Sequence, residues 1–257
     1  TVSASAPAYT NGVGPVSFGW DLDGDGLFGD VIPESAMAGD HVDFTVPWSA
    51  LQTLRLGDDG DYRVTARATD NQPESGEACA SFTVINADPT ISTTTSSGPA
   101  DEGSPVTVTL DASDPAGAAD PLVYEFDWND DGTYEASNSV GAARNVYTDD
   151  GTYTVTVRAL DDDGGWDTAA VTVTVTNVTP TAPISGPVSV GQGDLYELTL
   201  GPVSDPGDDL VTEWTVDWGD GVTDTVDGGN GDGVQATHVY TGQGSYVISA
   251  TVTDDDG

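Results

Sequence analysis

The chain has no lysine, five arginines, two histidines and one cysteine in 257 residues. Five cationic side chains against 44 acidic ones are too few to neutralise a phosphate backbone, which argues against nucleic acid as a partner. The same deficit disfavours an anionic membrane surface. One cysteine, Cys79, rules out an internal disulfide. Its setting in a Val/Phe-rich strand reads as that of a small buried hydrophobe. Long apolar runs are missing too, so neither a membrane span nor a signal peptide is visible. Helical periodicity is confined to a turn or two over residues 49–54, where Ser49 could act as the cap. With His41 and His238 the only histidines, no Ser/His/Asp order, zinc spacing or phosphate loop can be assembled. The expectation is a protein that is not an enzyme.

What the chain has in excess is carboxylate. It carries 36 Asp and 8 Glu, for a formal charge of −39. Two physical reasons for such a surface compete. Clustered carboxylates hold hard cations such as Ca²⁺. A diffuse acidic surface keeps a protein soluble, as in halophiles. The bias of Asp over Glu favours the first, because Asp suits turns and metal loops. Thr and Val runs punctuated by Gly, Asp and Pro read as an all-β chain with many turns.

One pattern occurs three times. A strand runs into Asp127-Trp128-Asn129-Asp130-Asp131-Gly132, and Gly151-Thr152-Tyr153 opens a second alternating strand farther on. Asp217-Trp218-Gly219-Asp220-Gly221 with Gly244-Ser245-Tyr246 repeats it, and Asp21-Leu22-Asp23-Gly24-Asp25-Gly26 with Gly60-Asp61-Tyr62 precedes it. The spacing of about 90 residues means tandem domains. The expected boundaries are 1–86, 87–178 and 179–257. The first copy lacks its opening strand and carries an insertion over about residues 31–55; the third lacks its closing strand. Unpaired edges at both ends would be an aggregation hazard, so the chain reads as a window from a longer repetitive protein. The alternative is a polymer whose neighbouring copies supply the missing strands. Pro89 and Pro180 sit in linkers too short to be floppy, which predicts a semi-rigid rod. A Tyr opening a strand after a turn is similar to the tyrosine corner of immunoglobulin-like sandwiches.

On these residues the chain resembles the PKD (polycystic kidney disease) repeat of prokaryotic surface proteins. Trp218-Gly219-Asp220-Gly221, His238-Val239-Tyr240, Gly244-Ser245-Tyr246 and Val252-Thr253-Asp254-Asp255-Asp256-Gly257 match that family's motifs. The second copy departs at Asn129-Asp130 and has Asn145-Val146-Tyr147 without His. The first departs most, with Leu22 in place of Trp. The resemblance implies immunoglobulin-like (PKD-type) β-sandwiches serving outside the cell as spacers, adhesion or protein–protein modules, without catalysis. His238 is then expected to make a structural hydrogen bond.

The candidate chemistry lies in the loop after the third strand, strand C in sandwich nomenclature. Asp21, Asp23, Asp25 and Asp30 stand at loop positions 1, 3, 5 and 10; Asp127, Asn129, Asp131 and Glu135 stand at 1, 3, 5 and 9. Leu27 and Thr133 occupy position 7. Alternate positions in a tight Gly-containing turn aim oxygens inward, as the first half of an EF-hand loop does. The bidentate Glu of position 12 is absent, since Ile32 and Asn138 stand there. Carboxylates of one domain's C–C′ loop are also expected to face the B–C and F–G loops of the next. Those loops offer Asp114, Asp120 and Asp161-Asp162-Asp163 in copy two, and Asp205, Asp208, Asp209 and Asp254-Asp255-Asp256 in copy three; Asp114, Asp161, Asp163, Asp205 and Asp254 are the ligand candidates there. Calcium at each junction would stiffen the rod, by analogy with cadherin repeats. The resulting expectation is a calcium-stiffened segment of an extracellular fibre, stalk or adhesin whose partners are neighbouring domains or copies of itself, with strand exchange as a route to self-assembly. The alternative is a carbohydrate- or substrate-binding accessory region of a secreted hydrolase. Trp48 and Trp166 would stack on glycans there, and Asn177-Val178-Thr179 fits a glycosylation sequon.

Overall fold

In this computed structural model, residues 2–5, 16–30, 35–37, 41–54, 56–69, 75–228 and 234–256 are described. The insertion of the first copy is covered in part, and the side chains of His41 and Trp48 lie outside the described residues. The first copy contributes β1 (Val2–Ser5), β2 (Val16–Asp21), β3 (Ser35–Met37), β4 (His41–Phe44), helix α1 (Trp48–Thr53), β5 (Gly60–Thr69) and β6 (Ser75–Val84). The second adds β7 (Thr90–Ser96), β8 (Ala100–Asp101), β9 (Pro105–Ser113), β10 (Val123–Asp127), β11 (Ala136–Asn138), β12 (Ala142–Val146), β13 (Gly151–Leu160) and β14 (Trp166–Thr176). The third adds β15 (Ile184–Ser185), β16 (Leu195–Leu200), β17 (Glu213–Asp217), β18 (Thr223–Asp227), β19 (Gln235–Val239) and β20 (Ser249–Thr253).

The second copy shows the architecture most fully. One sheet runs β11-β10-β13-β14-β8, and a second runs β12-β9-β7. Alternation along each strand decides what lies between them. Val106, Val108 and Leu110 of β9 face Phe126 of β10, Val155 and Val157 of β13, and Val173 and Val175 of β14, all essentially excluded from solvent. Each such side chain contributes roughly 1.5–3 kcal/mol of burial. The intervening Thr residues face outward, so the pattern reads directly as a two-layer sandwich. β8 joins the first sheet in parallel, pairing Ala100 with Val175 and Asp101 with Thr176. That short hook delivers Glu102 to the lower pole, where its amide donates to the Thr176 carbonyl at 3.1 Å.

The third copy repeats the plan with sheets β15-β16-β19 and β18-β17-β20 around Trp214, Val216, Trp218 and Leu200. The first builds a four-stranded sheet, β3-β2-β5-β6, and a separate β1-β4 pair. Its core is smaller: Trp20, Leu22, Leu56 and Val64, with Leu51 and Leu54 from the helical insertion packed against them.

Two expectations about this region are corrected. Ser49 does not cap the helix. It lies inside α1, whose first turn is closed by the amides of Ala50 and Leu51 on the Pro47 carbonyl, and Thr53 Oγ1 donates back to the Ser49 carbonyl. Cys79 is exposed, not buried. β6 is exposed along nearly its whole length, and Arg63 Nη2 lies 3.0 Å from the Cys79 thiol. A Val/Phe-rich strand predicts burial only if a second layer covers it, and among the described residues β6 has no such cover.

The tyrosine corner is present in two copies. Tyr62 Oη donates to the Asp58 carbonyl, and Tyr153 Oη to the Asp149 carbonyl, both at 2.9 Å. These bonds fold the turn ahead of the strand back onto it, and hold Asp58-Asp59 and Asp149-Asp150 at the pole facing the next domain.

Candidate metal centre

Asp127 ends β10 with 1% of its surface exposed. Its Oδ1 accepts the amide of Asp131 at 3.2 Å and its Oδ2 the amide of Gly132 at 2.8 Å. Asn129 Oδ1 also accepts the Asp131 amide, and Asp131 Oδ1 accepts that of Thr133 at 2.7 Å. The turn needs two left-handed residues, Asp130 at φ 57° and Gly132 at φ 88°. Asp tolerates that region better than most residues with a side chain. Glu135 reaches back, its Oε2 accepting the Trp128 amide at 2.9 Å. The loop is thereby wound so that oxygens of Asp127, Asp131 and Glu135 lie within 4.8 Å of one another. The Thr133 amide holds the Asp131 carboxyl below its ordinary range.

The first copy winds the same way. Asp21 accepts the amides of Gly24 and Gly26, Asp23 that of Asp25, Asp25 that of Leu27, and Asp30 that of Leu22. Oxygens of Asp21, Asp23 and Asp30 fall within 4.8 Å of one another. Asp25 is exposed, and so is the Leu27 side chain. Both loops offer only oxygen donors, which suits a hard cation and not a soft one.

The third copy is built differently. Asp217 and Asp220 accept amides of Gly219 and Val222, but Asp220 Oδ2 also meets His238 Nε2 at 2.8 Å. His238 stacks on the Trp218 ring, and Trp218 Nε1 donates to Asp224 Oδ2 at 2.8 Å. The hydrogen bond from His238 holds the Asp220 carboxyl below its ordinary range. The structural hydrogen bond expected of His238 is therefore present. A buried tyrosine fastens each of these two loops to its own core: Tyr147 Oη donates to the Trp128 carbonyl, and Tyr240 Oη to that of Trp218.

The junctions collect a second set of carboxylates, from different elements than the sequence suggested. The C–C′ carboxylates spend their acceptors on their own loop amides. What meets the B–C and F–G loops of the following domain is the turn ahead of the corner tyrosine, Asp58-Asp59 or Asp149-Asp150, and, at the second junction, Glu102. At the first junction Asp58 comes within 4.8 Å of Asp120 and Asp163; Asp114, Asp120 and Asp161 form an overlapping triad. Asp120, only 2% exposed, belongs to both. Its carboxyl is pushed up to about 7, first by burial, then by a hydrogen bond with Asp162 and the charges of Asp114 and Asp161. Asp163 is pushed up to about 6, mainly by a hydrogen bond shared with Asp59 across the junction. Asn86, in the linker, donates from Nδ2 to Asp161 Oδ2 at 3.0 Å.

The second junction repeats that arrangement. Asn177 Nδ2 donates to Asp254 Oδ1 at 3.3 Å, and Glu102, Asp205 and Asp209 bring oxygens within 4.8 Å. Burial raises the Asp209 carboxyl to about 7, aided by Glu102, Asp205, Asp256 and Asp254. Domain contacts here are direct: the Asp208 amide donates to the Thr148 carbonyl at 2.7 Å. A methyl on Gly103, whose φ is +67°, would meet Pro206 Cβ at 2.8 Å.

Sequence reasoning placed Asp114, Asp120, Asp161, Asp163, Asp205, Asp209 and Asp254 in the junction loops but assigned nothing to Glu102 or Asp58. One signal was available, the Asp-Asp pair that precedes the corner tyrosine in the first two copies. The remaining expectations divide. Trp166 is 54% exposed. Asn177 is half-buried with its amide nitrogen already engaged by Asp254, which is poor geometry for a glycosylation acceptor. The side chain of Trp48 lies outside the described residues. No helix among the described residues is long and apolar enough to cross a membrane.

A model of the PKD domain matches residues 86–175 and 177–257. No curated protein matches the chain. Among solved structures, fibronectin(III)-like modules of Clostridium thermocellum CbhA are similar at 19% identity, over 68% of this chain and 84% of that one, with a TM-score of 0.29. The amphioxus IgVJ-C2 molecule is similar at 13% identity, over 67% and 95%, with a TM-score of 0.40. The protocadherin GammaB4 extracellular domain is similar at 14% identity, over 98% and 43%, with a TM-score of 0.32. All three scores lie below 0.5, so the likeness is loose and assigns nothing to this chain.

Proposed function

Because the chain belongs to the PKD domain family, we propose that it is a non-catalytic segment of an extracellular fibre, stalk or adhesin, stiffened by calcium. Its work is mechanical: it spans distance, resists unfolding and joins or presents other parts. The three repeats, divided near residues 86 and 178, form a rod because the linkers Ala87-Asp88-Pro89 and Val178-Thr179-Pro180 are short and proline-bearing. Calcium is held by Asp21, Asp23, Asp25, Asp30 and the Leu27 carbonyl in the first loop. Asp127, Asn129, Asp131, Glu135 and the Thr133 carbonyl hold it in the second. Asp114, Asp161, Asp163, Asp205 and Asp254 serve the junctions.

One observation carries this reading. Asp127 is 99% hidden, yet its carboxylate faces only amides of its own loop, and the chain accepts left-handed backbone at Asp130 to keep it so. Oxygens of Asp131 and Glu135 stand within 4.8 Å of that carboxylate, an all-oxygen set that suits a hard cation. A cation ringed by such oxygens binds at ~10⁻⁴ to 10⁻³ M in extracellular modules.

Calcium titration of the whole chain by calorimetry tests it. Wild type takes up calcium in the millimolar range or tighter, and Asp127→Asn with Asp131→Asn removes one site. Uptake unchanged by that pair overturns the loop assignment. At the first junction, Asp114→Ala with Asp161→Ala makes the chain more flexible in small-angle scattering with calcium present; unchanged dimensions overturn junction stiffening. Self-assembly by strand exchange shows as calcium-independent oligomers in sedimentation, and a monomer at all concentrations overturns it. The exposed Trp166 favours a second reading, glycan binding, which a glycan array with Trp166→Ala decides.

A further inference from the structure

The second junction holds a buried carboxylate with one oxygen left unpartnered. Glu102 is only 1% exposed. Its Oε1 accepts the Val178 amide at 2.6 Å, but its Oε2 is buried with no hydrogen-bond partner. Among the described residues no arginine or histidine forms an ion pair with it. A buried carboxylate oxygen left bare costs several kcal/mol unless a cation or a proton takes it up. Oδ2 of Asp205 and Oδ2 of Asp209 are buried and unpartnered in the same place. All three side chains contribute an oxygen to one cluster within 4.8 Å.

These oxygens also point at a common spot. A methyl placed on Gly207 would stand 2.8 Å from Glu102 Oε2 and 2.6 Å from Asp209 Oδ2. Gly207 instead keeps the spot open, and its amide fixes the other Asp205 oxygen, Oδ1, at 2.7 Å. An open pocket of about 340 Å³ beside Pro180, Asp205, Asp209 and Asp254 gives an ion a way in. The linker adds Asn177, whose Oδ1 is buried without a partner while its Nδ2 is spent on Asp254.

We propose that Glu102 of the second domain and Asp205 and Asp209 of the third close around one calcium ion, a clamp that fixes the angle between the two domains. This rests on the calcium reading above and adds a ligand from the preceding domain. With ligands on both sides of the linker, the ion cannot be held unless the domains are docked. Docking is already templated by the Asp208–Thr148 hydrogen bond and the Gly103–Pro206 contact. The position that matches Glu102 in the third copy is Gln192: the glycine after each donates its amide to the carbonyl of the matching tyrosine, Tyr147 or Tyr240. Gln192 is exposed and its Nε2 donates to the Thr241 carbonyl at 2.6 Å. The far pole of the third domain therefore lacks the anionic arm of the clamp.

The test is Glu102→Gln in the full chain, with Asp209→Asn, on a half-exposed loop, as the second variant. Each is followed by calorimetric calcium titration, melting in chelator and small-angle scattering. Each variant should melt higher than wild type in chelator, because one like charge is gone. Each should lose one calcium per chain, or bind it roughly tenfold or more weakly. Each should also fail to straighten on calcium addition. A merely structural Glu102 would give lower melting in chelator and an unchanged calcium count, and that result overturns the clamp. If wild type binds calcium, Asp127→Asn removes a site and both junction variants leave count and dimensions unchanged, the clamp is wrong while the calcium reading stands. If wild type binds none up to about 10 mM, well above the weakest extracellular modules, both fail.

Discussion

The second and third domains solve the same loop in opposite ways. Both end strand C in an Asp-Trp pair and both tie the Trp carbonyl to a buried tyrosine hydroxyl. The third then closes its loop with a side chain from another strand: His238 sits on Trp218 and meets Asp220. The second has Asn145 at the matching place and answers with more carboxylates, Asp127, Asp131 and Glu135. One loop is closed by a histidine within the chain; the other gathers oxygens of Asp127, Asp131 and Glu135 within 4.8 Å of one another. The difference teaches that the acidity of this chain is not uniform. It gathers in particular loops and at the junctions.

Breaking the third loop should have the largest effect. A Gly219→Ala methyl would run into the Val247 carbonyl at a residue held at φ +76°. Overpacking and left-handed strain together should cost on the order of 3 kcal/mol, read as a lowered midpoint in urea. Asn129→Ala, in the second loop, should cost less than about 1 kcal/mol. Next is His238→Asn, which copies the second domain's residue into the third. It leaves Asp220 without its partner and should cost about 1–2 kcal/mol. An unchanged midpoint would mean the His238–Asp220 contact does not hold the loop.

Metal removal sharpens the contrast from the other side. At ten times Kd each calcium site adds ~1.4 kcal/mol. Amide exchange should therefore quicken in chelator at Asp131, Gly132 and Thr133 and stay unchanged at Val222. Equal quickening in both loops would erase the distinction.

The smallest effect is in the pH profile. Asp120 and Asp209 hold their protons up to about 7 in the folded chain. Their folded values lie above the unfolded one, so in chelator their contribution is fully present below about pH 4 and is lost as pH rises through about 7. Asp220 lies below its ordinary range, so its contribution is present above that range and is lost as pH falls through it. Acidification from pH 7 to 5 should thus tighten the metal-free junctions, with the third loop giving way only at lower pH. A junction that loosens over that interval contradicts the buried-carboxylate account.

Much of this was legible in the sequence. Alternation in Tyr153, Val155, Val157 and Ala159 gave the core strand, and the corner tyrosines fixed the fold class, because period-two patterning and turn chemistry are local. The C–C′ loops were legible for the same reason: their ligand positions lie within ten residues of one another. The junctions were legible on one side only, that of the following domain's loops. Glu102 sits about 100 residues from Asp205, and only the parallel hook of β8 brings it there. Cys79 was misplaced for a similar cause, since its pattern fits a covered strand and the cover is a tertiary fact.

The most direct test of the central claim is thermal unfolding in calcium, in chelator, and in chelator with molar KCl. Specific metal sites predict a large loss of stability in chelator that KCl does not restore, because screening cannot replace a coordinated ion. Full rescue by KCl would mean that the carboxylates act as a diffuse halophilic surface, and the calcium assignments would have to be abandoned.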